Sequence, residues 1–164
     1  MPKLIFDYLV NHPQHIPLIA QWHQKEWQHI SPHLSTPLRI KQYSQYTDTA
    51  AIPSCVLALV NNQPAGSASL VESDMETHPH LHPWLASVFV SATYRRQGIA
   101  TQLIECCIDN ARHLGVENLY LFTPDQAGFY QKRGWKRIET CEYHNEKVDI
   151  MVYYVKNKSN SKTI

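Results

Sequence analysis

Three consecutive patterns between residues 84 and 114 constrain this chain most. Trp84 to Val90 is an apolar stretch of strand length. A turn with a single glycine, Gly98, follows it. Ile99 to Leu114 then places Ala100, Leu103, Ile104, Cys107, Ile108, Ala111 and Leu114 on one face at helical spacing. Only five glycines occur in 164 residues, so one lying at this joint is informative. Gly115 stands where a helix C-terminal cap belongs. A strand that feeds a helix through such a turn belongs to a mixed α/β fold.

The joint also carries chemistry. The first turn of a helix leaves its backbone N–H groups without intrahelical partners. Together with the positive end of the helix dipole they make an anion site. Arg95 and Arg96 add positive charge beside it. A ligand with a pyrophosphate suits this arrangement, although an ordinary loop with solvated arginines fits the spacing too. No GxGxxG run is present, which argues against a dinucleotide-binding dehydrogenase.

Elsewhere, residues 3–10 read as a strand and residues 14–28 as a helix. A second helix follows the capping sequence Ser35-Thr36-Pro37 and runs to about Tyr46. Residues 54–60 and 65–71 form a hairpin about the turn residues Asn61-Asn62-Gln63-Pro64. A polar loop covers residues 72–83. After the long helix come a strand at 118–122, a short helix at 125–132, and strands at 135–142 and 148–155. Residues 1–155 read as one domain, and residues 156–164 as a polar, disordered tail.

Composition excludes several classes. Lys+Arg is 15 and Asp+Glu is 14, a net charge of +1, which gives no basic face for nucleic acid and little attraction to anionic membranes. No apolar run reaches the ~18 residues of a membrane-spanning helix. The four cysteines, Cys55, Cys106, Cys107 and Cys141, form no CxxC pair; reduced thiols and a cytoplasmic location are expected.

Two short motifs point further. Arg95-x-x-Gly98-x-Ala100 follows the apolar strand, and Phe129-Tyr130-Gln131-Lys132-Arg133-Gly134-Trp135 comes about 30 residues later, after the next strand. In both, the chain resembles the GNAT superfamily of acyl-CoA-dependent N-acyltransferases. The resemblance is specific over residues 84–135 and extends as element order over residues 3–155. It implies an α/β (α+β) fold with a mixed, mostly antiparallel central sheet, splayed at Val88–Val90, and helices on both faces. It also implies an acetyltransferase that uses acetyl-CoA as acyl-donor co-substrate. By the same resemblance, backbone amides of Gln97, Gly98, Ile99, Ala100 and Thr101 hold the pyrophosphate, with Arg95 and Arg96 nearby. The edge of Val88, Phe89 and Val90 pairs with the pantetheine amides, and an N–H near Val90 polarises the thioester carbonyl. Tyr130 faces the thioester sulfur as the catalytic side chain.

A magnitude limits what Tyr130 can do. A cysteine-like thiol has a pKa of about 8.5 and tyrosine one of about 10, so full proton transfer to the thiolate is uphill by ~2 kcal/mol. A hydrogen bond to the thiolate is the easier role. Packing beside Phe129 and Trp135 is the structural alternative.

The acceptor side is less legible. An amine of pKa about 10.4 is an ammonium at neutral pH, and freeing its lone pair costs ~4–5 kcal/mol. Glu72, Asp74, Glu76, His78, His80 and His82 precede the central strand, the side from which GNAT acceptors approach. Glu72 and Asp74 are the expected acceptor-binding residues; a solvated acidic loop is the plain alternative. Trp22, Trp27, Tyr43 and Tyr46 lie on the two early helices that flank the acceptor in this family. His78-x-His80-x-His82 resembles a metal strand, but Pro79 and Pro83 break it and no cysteine lies at ligand spacing, so no metal is expected. Cys106 and Cys107 sit mid-helix, away from the turn that would activate a thiol, which favours direct transfer in a ternary complex over an acyl-enzyme.

The expected activity is acetyl transfer to a primary amine, foremost a small cationic one such as a polyamine, a diamine or an aminoglycoside. Transfer to a protein or peptide amine is the second reading, and a non-catalytic CoA-binding regulatory module a third of another class. A homodimer is compatible with all three.

Overall fold

The computed structural model describes residues 2–156. Residues 157–164 of the expected tail lie outside it. Seven strands form one sheet in the order β1-β2-β3-β4-β5-β7-β6. They are β1 (Leu4–Tyr8), β2 (Ser54–Val60), β3 (Gln63–Val71), β4 (Trp84–Val90), β5 (Asn118–Thr123), β6 (Lys136–Tyr143) and β7 (Glu146–Tyr154). All neighbours are antiparallel except β4 and β5. Among the described residues four α-helices complete the fold: α1 (Ile16–Trp27), α2 (Thr36–Ser44), α3 (Ile99–His113) and α4 (Ala127–Gln131).

Alternation along β2 divides the core. Val56 and Ala58 join the cluster that holds Leu103, Ile104 and Cys107 of α3. Cys55, Leu57 and Leu59 join the cluster of Ile16, Ile19 and Ala20 from α1 and Tyr43 from α2. A period of two on the strand thus places α3 on one face of the sheet and α1 and α2 on the other. Removing each large apolar side chain from water contributes roughly 1.5–3 kcal/mol.

The helix boundaries follow local chemistry. Ser35 caps α2 by accepting a hydrogen bond from the Leu38 N–H at 3.3 Å, with Pro37 in the first turn. The expected first helix begins later than residue 14, because Pro13 to His15 form a separate 3-10 turn. Both hairpins close on tighter turns than expected. Asn61 and Asn62 have φ of 50° and 67°, and His144 and Asn145 have 49° and 65°, the two-residue geometry that matches strand twist.

Two irregularities in β4 open the sheet. Ser67 pairs with Phe89 but Ser69 with Ala86, so two residues, Ser87 and Val88, oppose Ala68 alone. Ser87 at the bulge has φ of 54°. On its other edge β4 meets β5 in register only at Trp84↔Tyr120, so the strands part beyond it. This is the expected splay. On the β3 side the backbones approach closely: a Cβ on Gly66 would stand 2.7 Å from the Phe89 carbonyl oxygen.

Candidate active site

The splay opens into a cavity of about 590 Å³. At one end Val88, Phe89 and Val90 of β4 face Arg95, Ala100 of α3 and Tyr130 of α4. At the other, Trp27 of α1, Arg39 and Tyr43 of α2, Tyr46 and Asp74 line it.

The first end is the glycine joint. Gly98 has φ of 79° as the N-cap of α3 and no side-chain cap closes the helix. A Cβ there would touch nothing within 4 Å, so the backbone angle alone selects glycine. Arg96, with φ of 64°, takes the same left-handed form. The N–H groups at the start of α3 are the free donors expected of a helix N-terminus. Arg95 is held by its Nε donating to the Val90 carbonyl at 2.9 Å. Arg96, Gln97 and Gly98 are exposed on this loop and Ile99 is buried beneath it. Thr101 has a partner the motif did not reveal: its hydroxyl accepts from Arg133 Nε at 3.0 Å, and Arg133 Nη1 donates to the Phe129 carbonyl at 2.7 Å. Arg133 also lies 3.5 Å over the Phe129 ring, joining α3 to α4.

Tyr130 reaches the cavity from α4 with only 8% of its surface exposed. Edge-on contacts with Phe129 and Trp135 fix its ring. Burial pushes its hydroxyl well above the usual tyrosine pKa, partly offset by Arg133. The site therefore makes Tyr130 a poorer proton donor than free tyrosine and leaves its hydrogen bond as the useful property.

At the second end, burial raises Asp74 to a pKa of about 7, although Arg39 pulls in the opposite direction. Glu72 stands outside the cavity wall, exposed, with His82 Nδ1 at 3.2 Å from its carboxylate. The two residues expected together at the acceptor are thus separated by bends at both positions as the chain leaves β3, where strand alternation, which puts i and i+2 on one face, no longer holds. Trp27, Tyr43 and Tyr46 reach the cavity, whereas Trp22 packs behind it on Phe89.

A buried polar chain lies under this wall. His23 is 0% exposed, with Nδ1 at 2.6 Å from the Tyr43 hydroxyl and Nε2 at 2.9 Å from Ser67 Oγ. Burial, then the charge of Arg39, lowers its pKa to about 3, so the ring is neutral. Burial raises Tyr43 to about 12. Sequence reading missed Arg39, Gln42 and Glu26 of this wall. The available signal was spacing: Arg39, Tyr43 and Tyr46 share one face of α2 and its extension, and an arginine on a buried face is unusual.

The four cysteines are unpaired. Cys107 is buried in the α3 core, where burial raises its thiol well above the ordinary range, and neither it nor Cys106 lines the cavity. The histidine loop folds against β6 instead. His78 Nε2 stands 2.9 Å from Glu139, and His78, Glu139 and Cys141 bring their ligand-type atoms within 4.8 Å of one another. That group holds the loop to the sheet edge through the His78–Glu139 hydrogen bond, and the same bond lowers the Glu139 carboxyl below its ordinary pKa.

Among the described residues, no helix is long and apolar enough to cross a membrane. Residues 16–135 match the family model described as the acetyltransferase (GNAT) family. No curated protein matches the chain in sequence. Solved structures share the fold at low identity. A GNAT-family acetyltransferase from Streptococcus pneumoniae superposes with a TM-score of 0.68 at 18% identity, over 94% of this chain and 100% of the other. An aminoglycoside 6'-N-acetyltransferase complexed with coenzyme A gives 0.73 at 12% identity, over 93% and 97%. N-acetylglutamate synthase from Neisseria gonorrhoeae, complexed with coenzyme A and N-acetyl-glutamate, gives 0.68 at 18% identity, over 95% of this chain and 35% of that one.

Proposed function

The chain belongs to the acetyltransferase (GNAT) family, and we propose that it transfers the acetyl group of acetyl-CoA directly to the primary amine of a small molecule held between α1, α2 and Asp74. One observation carries this reading. A single cavity runs from the glycine joint and Tyr130 to a carboxyl whose pKa is about 7.

On the donor side, the α3 N-terminus with Arg95 and Arg96 receives the pyrophosphate. The β4 edge left free by the splay, Val88 to Val90, receives the pantetheine amides as a strand would. On the acceptor side, Asp74 takes a proton from the bound ammonium. An ordinary aspartate of pKa about 3.9 would do so uphill by ~9 kcal/mol, and one of about 7 by ~4–5 kcal/mol. The amine lone pair then attacks the thioester carbonyl carbon, whose oxygen gains charge near the β4 N–H groups around Val90. Collapse of that adduct breaks the C–S bond. The thiolate leaves against the Tyr130 hydroxyl, and the amine's second proton goes to the thiolate or to solvent. Chemistry at a buried thiol has no place in this path, since Cys107 lies in the core.

A polyamine or aminoglycoside meets an obstacle. Glu26, Asp74 and Glu146 favour a cation, but Arg39 in the same wall opposes a second positive charge. The reading is therefore a monoamine.

The test is thiol release from acetyl-CoA with a panel of small amines and peptides. Turnover with small amines and none with peptides is expected. Binding of acetyl-CoA without release on any acceptor would favour the regulatory module.

A further inference from the structure

Arg39 is a cavity residue to which the proposed reaction assigns no step. It is 4% exposed on α2 and lines the acceptor end. Its Nε donates to Gln24 Oε1 at 3.1 Å. Its Nη2 is buried and has no hydrogen-bond partner. No carboxylate among the described residues lies within ion-pair distance of it. The nearest candidate counter-charge, Asp74, lies in the same wall, and the pull of Arg39 on it does not overcome its burial. The groups beneath are neutral: His23 and Tyr43 carry no charge at physiological pH.

A buried guanidinium with one amino group unmet is costly to keep. Its planar fork matches one chemical group best, a carboxylate. A phosphate dianion fits less well, because Glu26, Asp74 and Glu146 share the cavity and only one arginine stands at this end. The Nε–Gln24 bond anchors the side chain, and Tyr43, one helical turn on, is pinned to His23. The fork is therefore preorganised, not a mobile surface charge.

We propose that Arg39 is a carboxylate subsite, and that the acceptor is an amino acid whose carboxylate seats on this guanidinium while its amine faces Asp74 and the thioester. The assignment rests on the cavity's being the acetyl-acceptor site. It also explains why acidic and basic residues line one wall: the substrate is a zwitterion, and each of its charges meets its opposite.

Matched acceptors test it. Free α-amino acids and their α-carboxamides differ in the charge that Arg39 would read, and the carboxamide's less basic amine frees its lone pair more cheaply, so a preference for the acid is not a basicity effect. For the best acceptor, kcat/KM should favour the carboxylate by at least about tenfold, the scale on which an unmet buried polar group discriminates. Arg39→Gln should bring that ratio near one, and Arg39→Lys should keep part of it, with acetyl-CoA binding by calorimetry as the check on folding. Should Arg39→Gln not fold, the deaminated acid should inhibit the wild-type enzyme competitively against the acceptor, and its amide should not. Equal use of acid and amide, or a preference that survives Arg39→Gln, overturns the carboxylate subsite and leaves the small-amine reading intact. Acetyl-CoA binding with no turnover of either series or of simple amines overturns both.

Discussion

The two ends of the cavity are built differently. The proposed donor end comes from one continuous stretch, β4 through α3 to α4, and the groups assigned to it are backbone amides and a backbone angle at Gly98. The proposed acceptor end is gathered from α1, α2, the segment after β3 and the start of β7, with Glu26 and Glu146 in one wall. As proposed, the donor end works through main-chain geometry. The acceptor end depends on side chains and on their burial. A family that keeps its coenzyme and varies its acceptor needs this division.

The sharpest way to break the contrast is at Asp74. Asp74→Asn should lower kcat/KM by about 10²–10⁴-fold, the usual contribution of a general base. In the wild-type enzyme kcat/KM should rise with pH through about 7 as Asp74 ionises, and the variant should lose that limb. A profile flat between pH 6 and 8 would remove Asp74 from proton transfer. Tyr130→Phe comes next, with turnover reduced roughly 10²–10³-fold as for one lost hydrogen bond to developing charge. Its dissociation constant for acetyl-CoA, measured by calorimetry, should stay within about twofold, because the grip on the coenzyme is assigned to backbone. Gly98→Val tests that grip from the other side. Strain of ~1–2 kcal/mol in the left-handed region should weaken acetyl-CoA binding about tenfold, since no steric contact awaits the new side chain. An unchanged affinity would mean that the loop does not need its left-handed turn.

The smallest effect is on stability and has a defined sign. Asp74 ionises near pH 3.8 when unfolded and near 7 when folded. Between these values unfolding releases a proton, so stability falls as pH rises through the window. Asn cannot ionise and escapes the penalty. Asp74→Asn should therefore raise Tm most at pH 8, less at pH 5 and little near pH 3, as thermal denaturation would show.

What could be read along the chain follows the same division. The α3 stripe, its glycine entry and the Phe129–Trp135 motif are legible because a helix face, a left-handed angle and a short packed turn are set by residues a few positions apart. The hairpin turns at 61–62 and 144–145 were placed only approximately, since strand ends depend on cross-strand pairing. Asp74 and Glu72 looked alike in sequence, two residues apart on a polar loop, and differ only in whether β3's exit turns them inward. Arg39 carried a weak signal on the buried face of α2 and was passed over, because a lone arginine in a helix is ordinarily at the surface.

By itself, then, the order of residues determined the mixed sheet and the helix on its glycine turn, both consequences of short-range backbone chemistry. Only the tertiary structure decided which acid is pushed up to a pKa of about 7 and which arginine keeps a buried amino group without a partner. Those properties belong to no residue type, because they arise when distant segments exclude water around a charge.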